Sequence, residues 1–379
     1  MDFAPSGEQQ RIREAIARLC EGFGDDYWLT RDREGGFPAD FHQALARDGW
    51  LGIAMPEAYG GAGLGIAEAA VMMQAVAESG AGFSGASAVH MNIFGLNPVV
   101  VFGTEEQKRR MLPPLVAGRE RACFAVTEPN TGLNTRRIKT KAVKAGDTYV
   151  VSGQKVWIST AQVAEKVLLL TAADAGLTLF YTDLDRRYVE VREIDKMGRH
   201  AVDSNQVFFD GLPVAEADRI GEEGKGFEYI LHGMNPERIL IAAELVGLGR
   251  CALARAAKYA RERVVFDRPI GQNQAIQHPL AQNWMALEAA NLMAMKAAWL
   301  YDAGKPCGAE ANAAKYLAGE ACFDACQQAV MTHGGYGYAR EYHVERYLRE
   351  SFVGRIAPVS RELILCFIAE RVLGLPKSY

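Results

Sequence analysis

The sequence lacks three features that would direct the chain to nucleic acids, membranes or metals. Its 42 basic and 46 acidic residues nearly balance, so no excess of positive charge favours nucleic acid or an anionic membrane as a partner. No apolar run approaches the roughly 20 residues that cross a bilayer without charged residues interrupting it. The seven histidines are dispersed without zinc-ligand spacing, which predicts that the protein binds no metal.

The cysteines and the N-terminus indicate the compartment. The seven cysteines form no Cys-x-x-Cys pair and are odd in number, which argues against a disulfide framework. The first residues carry Asp2, Glu8 and several Arg and Gln side chains, not a basic cap followed by an apolar stretch, so they do not have the pattern of a secretory signal. We therefore expect a protein of the reducing cytoplasm.

The hydrophobic period changes twice along the 379 residues. Ala-rich amphipathic runs such as Glu8–Cys20 predict helices at the start. Short β-like runs between Gly and Asp turns follow, for example Leu177–Tyr181, and a long helical period returns at Arg238–Arg263. This order predicts an α+β fold with three domains, which we place at residues 1–120, 121–226 and 227–379.

The segment Cys123–Ser159 carries the most information about function. A turn pinned by Pro129 and Gly132, a β-like run, and a Trp beside a hydroxyl would together form a wall for a flat, polar, redox-active ring. Trp157 can cover a ring face, while hydroxyls and backbone N–H groups address the heteroatoms. A Trp in a strand is more often part of the core, so this pattern alone leaves both interpretations open.

Further motifs follow in the C-terminal third. They are Arg263-Val-Val-Phe266, Gln274, the turn His333–Tyr338 and the tract Glu345–Arg349. Each has an ordinary explanation, such as a charge at a helix end or a glycine turn. These motifs follow Thr127-Glu-Pro129 and Trp157-Ile-Ser159 in the chain. All of them in this order resemble the acyl-CoA dehydrogenases over essentially the whole chain. The early loop Met55–Gly63 is similar to the N-terminal motif of that family.

This resemblance implies an N-terminal helical domain, a middle β-barrel domain and a C-terminal four-helix bundle, with FAD between them. It also implies an acyl-CoA substrate, an electron-transfer flavoprotein as acceptor, and a homotetramer or at least a dimer. The residues carried over to FAD are Phe124, Val126, Thr127, Leu133, Trp157, Ile158, Ser159, Arg263, Phe266, Gln274, Met331, Gly334, Gly335 and Ser360. Those carried over to the substrate are Leu133, Asn235, Arg238 and Val359.

The catalytic base is the main departure from the family pattern. Most members carry a Glu where this chain has Pro358, which cannot take a proton. A minority that resembles isovaleryl- and long-chain acyl-CoA dehydrogenases carries the base on a bundle helix, at the position of Glu237. In a purely structural interpretation Asn235 caps that helix, Pro236 occupies its first turn and Glu237 favours the helix dipole. With the usual base missing, we favour Glu237 as the base.

The predicted reaction is therefore the α,β-dehydrogenation of an acyl-CoA thioester to the trans-2-enoyl-CoA. Glu237 removes the Cα proton while a hydride leaves Cβ for flavin N5. Two alternatives stay open. One is a family member with other acyl-CoA chemistry, desulfinase-like or reductase-like. The other is a non-catalytic protein that binds FAD or CoA.

Overall fold

The computed structural model describes residues 4–378, and its first part is helical. The N-terminal helices are α1 (Gly7–Glu21), α2 (Asp25–Glu34), α3 (Ala39–Arg47), α4 (Ile66–Val76), α5 (Gly82–His90), α6 (Asn97–Phe102) and α7 (Glu105–Val116). Two of them begin with a capping box, in which side chain and backbone satisfy each other's hydrogen bonds. Ser6 and Gln9 form the box of α1, and Thr104 and Gln107 that of α7.

Helices α4, α5 and α6 belong to one continuous helical stretch, residues 66–102. By length and composition this stretch could cross a membrane, which the sequence analysis did not anticipate. Of its most apolar window of 18 residues, 61% is buried inside the protein, as in the core helix of a folded domain, so it is weak evidence for a membrane span. Gly80, with a φ of 106°, breaks the regular helix between α4 and α5.

The middle region is a seven-stranded sheet within the described residues. Its strands are β1 (Ala122–Ala125), β2 (Lys141–Ala145), β3 (Thr148–Ser159), β4 (Lys166–Ala173), β5 (Gly176–Asp183), β6 (Val189–Glu193) and β7 (Ser204–Ala215). The order is β1-β4-β2-β3-β7-β6, with β5 paired to β4. Strands β3 and β7 are antiparallel, and their register shifts between Lys155 and Ile158. That irregularity lies at the predicted flavin wall and re-aims the side chains there.

The C-terminal region returns to helices. Its elements are α8 (Gly226–His232), α9 (Met234–Glu262), β8 (Val264–Val265), β9 (Arg268–Pro269), α10 (Gln274–Asp302), α11 (Gly308–His333), α12 (Val344–Ser351), α13 (Val353–Ile356) and α14 (Arg361–Arg371). The long helices α9, α10 and α11 pack on one another. Fully buried small residues, such as Ala290, Ala294, Ala318 and Cys322, line their contacts. Small side chains let the helices approach closely.

Helix α9 also crosses α4 in direct contact. At Gly247 an added Cβ atom would lie 2.3 Å from the carbonyl oxygen of Gln74. The two helices therefore meet main chain to main chain at this point, and no side chain separates them.

One charged cluster joins the three regions. Asp32 on α2 accepts from Arg349 on α12 at 2.6 Å, and His200, between β6 and β7, lies 3.3 Å from the same carboxylate. The predicted order of a helical, a β-rich and a second helical region is confirmed, and the α+β class with it.

Candidate active site

The predicted flavin wall, residues Trp157–Ser159, lies at the end of β3. Trp157 has a φ of 61°, uncommon for a residue with a side chain, and 59% of it is exposed. The adjacent Val156 donates its N–H to the carbonyl oxygen of Thr127 at 2.9 Å, so the loop after β1 lies against β3. The wall thus combines an uncovered indole with the polar backbone of a neighbouring loop.

A buried ion pair holds that loop in place. Lys155 Nζ donates to Glu128 Oε1 and to the Val126 carbonyl, each at 3.0 Å. Glu128 also accepts from the backbone N–H groups of Lys139 and Thr140. Burial lowers the pKa of Lys155 to about 8, although the Glu128 carboxylate opposes the shift. The pair orders both ends of the segment that the sequence analysis assigned to the flavin.

The predicted residues of this wall differ in what they can offer a ligand. Leu133 is 61% exposed and Phe124 is half-buried. Val126 and Ile158 are buried in the core, so their side chains do not face a ligand and only their backbone could. Ser159 Oγ accepts a hydrogen bond from Arg199 at 2.9 Å.

A second group of predicted cofactor residues lies at the end of α9 and of α11. Arg263 ends α9, and its guanidinium lies 5.8 Å from the centre of the Tyr336 ring, next to Gly334 and Gly335. Also in this group are Phe266, 94% exposed, Met331, 67% exposed, and the exposed Gln274 that begins α10. Within residues 4–378 no hydrogen bond or ring contact links this group to the Trp157 wall.

The predicted base is buried. Glu237 lies in the first turn of α9, which begins at Met234, and only 3% of its side chain is exposed. Its role is therefore not that of a solvated charge at a helix start. Asn235 lies inside the helix and does not cap it, whereas Pro236 occupies the first turn as expected.

His90 bridges Glu237 to a second buried acid. Its Nδ1 lies 2.5 Å from Glu244 Oε1, and its Nε2 lies 3.6 Å from Glu237 Oε1. Burial alone would lower the pKa of His90, but the carboxylates of Glu244 and Glu237 outweigh it and raise the pKa to about 10. Burial raises the pKa of Glu244, and the neighbouring His90 opposes that shift. The second carboxylate oxygens, Oε2 of Glu237 and of Glu244, have no hydrogen-bond partner within the described residues.

The loop before α14 approaches the same place from another part of the chain. Lys315 on α11 is fully buried and donates from Nζ to the Val359 carbonyl at 2.8 Å. Burial lowers the pKa of Lys315 to about 8, and nearby Glu237 opposes this shift. Lys315 therefore lies between the predicted base, Glu237, and the segment around Pro358, where most of the family carries the base.

The other predicted residues of this region have structural partners. Ser360 caps α14, because its Oγ accepts from the Leu363 N–H. Arg238 donates to the Met234 carbonyl, while its Nε is buried without a partner among residues 4–378. Burial lowers the pKa of Arg238, and Glu237 opposes this.

Sequence reasoning missed His90, Glu244, Lys315 and Arg199. Glu244 follows Glu237 by seven residues, the spacing of one helix face, and this pattern could have linked the two acids. Lys315 in an Ala-rich helical run is a second available signal. No local pattern relates His90 to α9. Among residues 4–378 no group of three or more His, Cys, Asp or Glu side chains has the geometry to hold a metal.

Comparison with known proteins identifies the family. Its N-terminal domain profile matches residues 6–119, its middle domain profile residues 123–212 and its C-terminal domain profile residues 224–373. The chain belongs to the acyl-CoA dehydrogenase family. As a family member it is an oxidoreductase, and the resemblance seen in the sequence motifs is confirmed.

Similar proteins match along most or all of the chain. Acyl-CoA dehydrogenase FadE12 of Mycobacterium tuberculosis is 37% identical, over 100% of this chain and 99% of its own. The caffeyl-CoA reductase–Etf complex subunit CarC of Acetobacterium woodii is 33% identical, over 88% of this chain and 91% of its own. The butyryl-CoA dehydrogenase structure from Megasphaera elsdenii superposes with a TM-score of 0.94 at 30% identity, covering 98% of this chain and 100% of that one.

Proposed function

We propose that this enzyme oxidises an acyl-CoA thioester to the trans-2-enoyl-CoA, with Glu237 as the general base. The observation that carries the proposal is the Glu237 carboxylate itself. Only 3% of its side chain is exposed to solvent, and its Oε2 atom has no hydrogen-bond partner among the described residues. A carboxylate in a water-poor site with one free oxygen is suited to taking a proton from carbon.

The fit of the chain to FAD rests on three features. The Trp157 indole offers an open ring face, Thr131 Oγ1 is buried in the adjacent loop without a partner within residues 4–378, and Gly334 and Gly335 leave open space where a Cβ would stand. These residues suit a flat ring with polar edges and a long phosphate-containing tail. We therefore propose FAD as the cofactor.

In this proposal the two groups of residues hold different parts of the cofactor. The loop from Phe124 to Leu133, the wall Trp157–Ser159 and Ser360 would hold the ring system. Arg263, Phe266, Gln274 and the 331–335 turn would hold the pyrophosphate and the adenosine of a neighbouring subunit's cofactor, because a guanidinium pairs well with phosphate oxygens. Bound FAD supplies the two-electron acceptor for the hydride that leaves Cβ.

The chain's own residues perform the proton step. Glu237 Oε2 takes the Cα proton as the C–H bond breaks, and that electron pair forms the new double bond while the Cβ hydride departs. Negative charge develops on the thioester oxygen and needs a hydrogen-bond donor. Pro358 has no N–H to give, so we assign this role to the N–H of Val359, whose carbonyl Lys315 holds. Leu133, Asn235 and Arg238 are proposed to line the substrate.

The partners proposed are a second copy of the chain and an electron-transfer flavoprotein. Phe266 and Tyr338 are 94% and 90% exposed, and Trp284 and Trp299 on α10 are each 58% exposed. Large uncovered aromatic side chains favour contact with another protein surface, here a dimer or tetramer in which Arg263 reaches a neighbouring subunit's cofactor. The Etf in the name of the CarC complex supports the flavoprotein acceptor. We also propose a cytoplasmic location and the domain limits 1–120, 121–226 and 227–379.

Anaerobic titration tests the reaction. Straight, branched and aromatic acyl-CoAs are added to the FAD-loaded enzyme, and the flavin absorbance is expected to bleach with at least one of them. Glu237→Gln should keep FAD but reduce it about 10²–10⁴-fold more slowly, because a neutral amide cannot accept the proton. Glu222→Gln, at an exposed acid that pairs with Lys225, is the matched control and should react at the wild-type rate. Wild-type reduction by Glu237→Gln would contradict the assignment.

A reductase is the second candidate, and the relationship to caffeyl-CoA reductase favours it. In that direction Glu237 donates the proton to Cα. Reduced enzyme would then be reoxidised by enoyl-CoAs, while the oxidised enzyme would be bleached little by saturated acyl-CoAs. A protein that binds FAD or CoA without catalysis would respond to neither substrate.

A further inference from the structure

We propose that His90, held by Glu244, is the positioning residue for the base Glu237. In this role it faces Oε1 of the Glu237 carboxylate and leaves Oε2 as the oxygen that receives the substrate proton. The inference rests on the proposed function and adds to it a residue pair on two different helices.

The geometry gives His90 a single, defined orientation. It is the last residue of α5, and its ring packs 4.7 Å from the Phe94 ring, centre to centre. Its Nδ1 is fixed by Glu244 Oε1 at 2.5 Å, which directs its Nε2 to the other acid of α9. Nε2 lies 3.6 Å from Glu237 Oε1, too far for a hydrogen bond, and has no hydrogen-bond partner among the described residues. Because Glu237 and Glu244 are seven residues apart on one helix, both present their carboxylates to the same imidazole.

The charges around the site favour such a cation. Burial raises the pKa of Glu244 and the nearby Glu237 adds to that shift, whereas His90 opposes it. Arg199 faces Glu244 from the segment between β6 and β7, while Arg238 and Lys315 face Glu237 from α9 and α11. Among residues 4–378, however, His90 is the one basic side chain with a nitrogen within 4.0 Å of either carboxylate.

The unpaired oxygens support the division of roles. Glu237 directs Oε1 to His90, and its Oε2 is buried without a partner in the described part of the chain. A buried acceptor without a partner costs free energy, and Glu244 Oε2 shares that feature. Glu237 differs from Glu244 in its nearness to Lys315, which binds the Val359 carbonyl in the loop assigned to the thioester. If His90 itself took the proton from the substrate, its Nε2 would have to move away from Glu237.

The kinetic test uses His90→Gln, which keeps a polar side chain but removes the positive charge. Flavin reduction by a saturating acyl-CoA is followed against pH at equal flavin content. We expect a rate about 10-fold or more below wild type and a changed pH profile, because the imidazolium that faces Glu237 Oε1 and orients the carboxylate is gone. His42→Gln, at a buried histidine 3.3 Å from Asn92 and outside the site, is the matched control with a wild-type profile.

A second measurement is independent of turnover. The imidazole nitrogen signals of the full-length protein, assigned by comparison with His90→Gln, should show His90 protonated at neutral pH and beyond. Glu244→Gln and Glu237→Gln should each lower the pH at which it loses the proton, and Glu244→Gln should have the larger effect because its contact is shorter. A neutral His90 at neutral pH would overturn the proposal.

The two proposals fail in different ways. If Glu237→Gln reduces flavin at the wild-type rate, the proposed function is wrong and this inference with it. If Glu237→Gln is inactive while folded His90→Gln keeps both the wild-type rate and the wild-type pH profile, only the role of His90 is refuted.

Discussion

Lys315 donates a hydrogen bond from Nζ to the carbonyl oxygen of Val359, 44 residues further along the chain. The donor is fully buried on α11, and the acceptor residue has a φ of 82°, a strained value for a β-branched side chain. The contact thus holds an unfavourable backbone conformation in the loop that we assign to the thioester. It also brings a positive charge close to Glu237.

Replacing Lys315 tests this relationship. Lys315→Met keeps most of the length of the side chain and removes the donor, so the Val359 carbonyl loses its partner and the loop can move. We expect acyl-CoA-dependent flavin reduction to fall about 10²-fold while FAD content is kept. Lys296→Met, at an exposed lysine that pairs with Glu310, should react normally. An unchanged rate in Lys315→Met would show that the loop is positioned by other contacts.

Arg263 tests how the cofactor is retained. Arg263→Ala removes the proposed partner of the pyrophosphate, and we expect FAD binding to weaken by ~1.5–3 kcal/mol. Bound FAD per chain after gel filtration is the measurement, together with the oligomeric state. Arg268→Ala, which loses only a hydrogen bond to Asn273 in the same segment, is the control. Wild-type FAD affinity in Arg263→Ala would make the pyrophosphate assignment wrong.

The position of the base can be tested by moving it. Lys315 lies near both Glu237 and the 357–360 loop, so a carboxylate at residue 358 should reach the same substrate carbon. We expect Glu237→Ala with Pro358→Glu to recover part of the flavin reduction lost in Glu237→Ala. Recovery will be incomplete because the new carboxylate lacks a partner like His90. A folded, FAD-loaded double variant no faster than Glu237→Ala would count against convergence at one carbon.

The cluster that joins the three regions predicts a dependence of stability on pH. A hydrogen bond to Asp32 raises the pKa of His200 from 6.5 to about 8. The protonated form therefore stabilises the fold below pH 6.5, and this contribution is lost as the pH rises through about 8. Relative to His200→Gln, wild type should be more stable by on the order of 1 kcal/mol in the acid range, after allowance for solvent screening.

Denaturant unfolding of both proteins on either side of that range is the measurement. The difference in unfolding free energy should shrink toward zero at alkaline pH. His278→Gln, at an exposed histidine of α10, should differ from wild type by the same small amount at both pH values. A difference for His200→Gln that grows with pH would show that protonated His200 does not stabilise the fold.

Elements with a long regular period were predictable from the sequence. The run Arg238–Arg263 corresponds to α9 (Met234–Glu262), and Leu177–Tyr181 falls within β5 (Gly176–Asp183). The spacing of apolar residues that distinguishes a helix from a strand involves neighbours only a few residues apart, so it can be seen in a single sequence. The helix begins four residues before that run, at Met234, because Pro236 is tolerated in a first helical turn, as the structural interpretation of Asn235 and Pro236 had it.

The contacts that complete the site could not be predicted in the same way. His90 and Glu244 are 154 residues apart and meet because α5 packs on α9. Nothing in the local pattern around either residue specifies that contact. The roles of Glu237, Trp157 and Arg263 came from motifs in a known order, and they stay predictions until the variants above are measured.

The contact at Gly247 has a consequence for how such a site can change. Gln74 and His90 belong to one helical stretch, and the main chain of that stretch touches the main chain of α9 one turn beyond Glu244. The spacing between imidazole and acids thus depends on residue 247 having no Cβ atom, because any other residue would push α9 and α4 apart. A larger residue at 247 would therefore displace both carboxylates relative to His90 from a position outside the site, whereas changes in residues away from this crossing would leave their spacing intact.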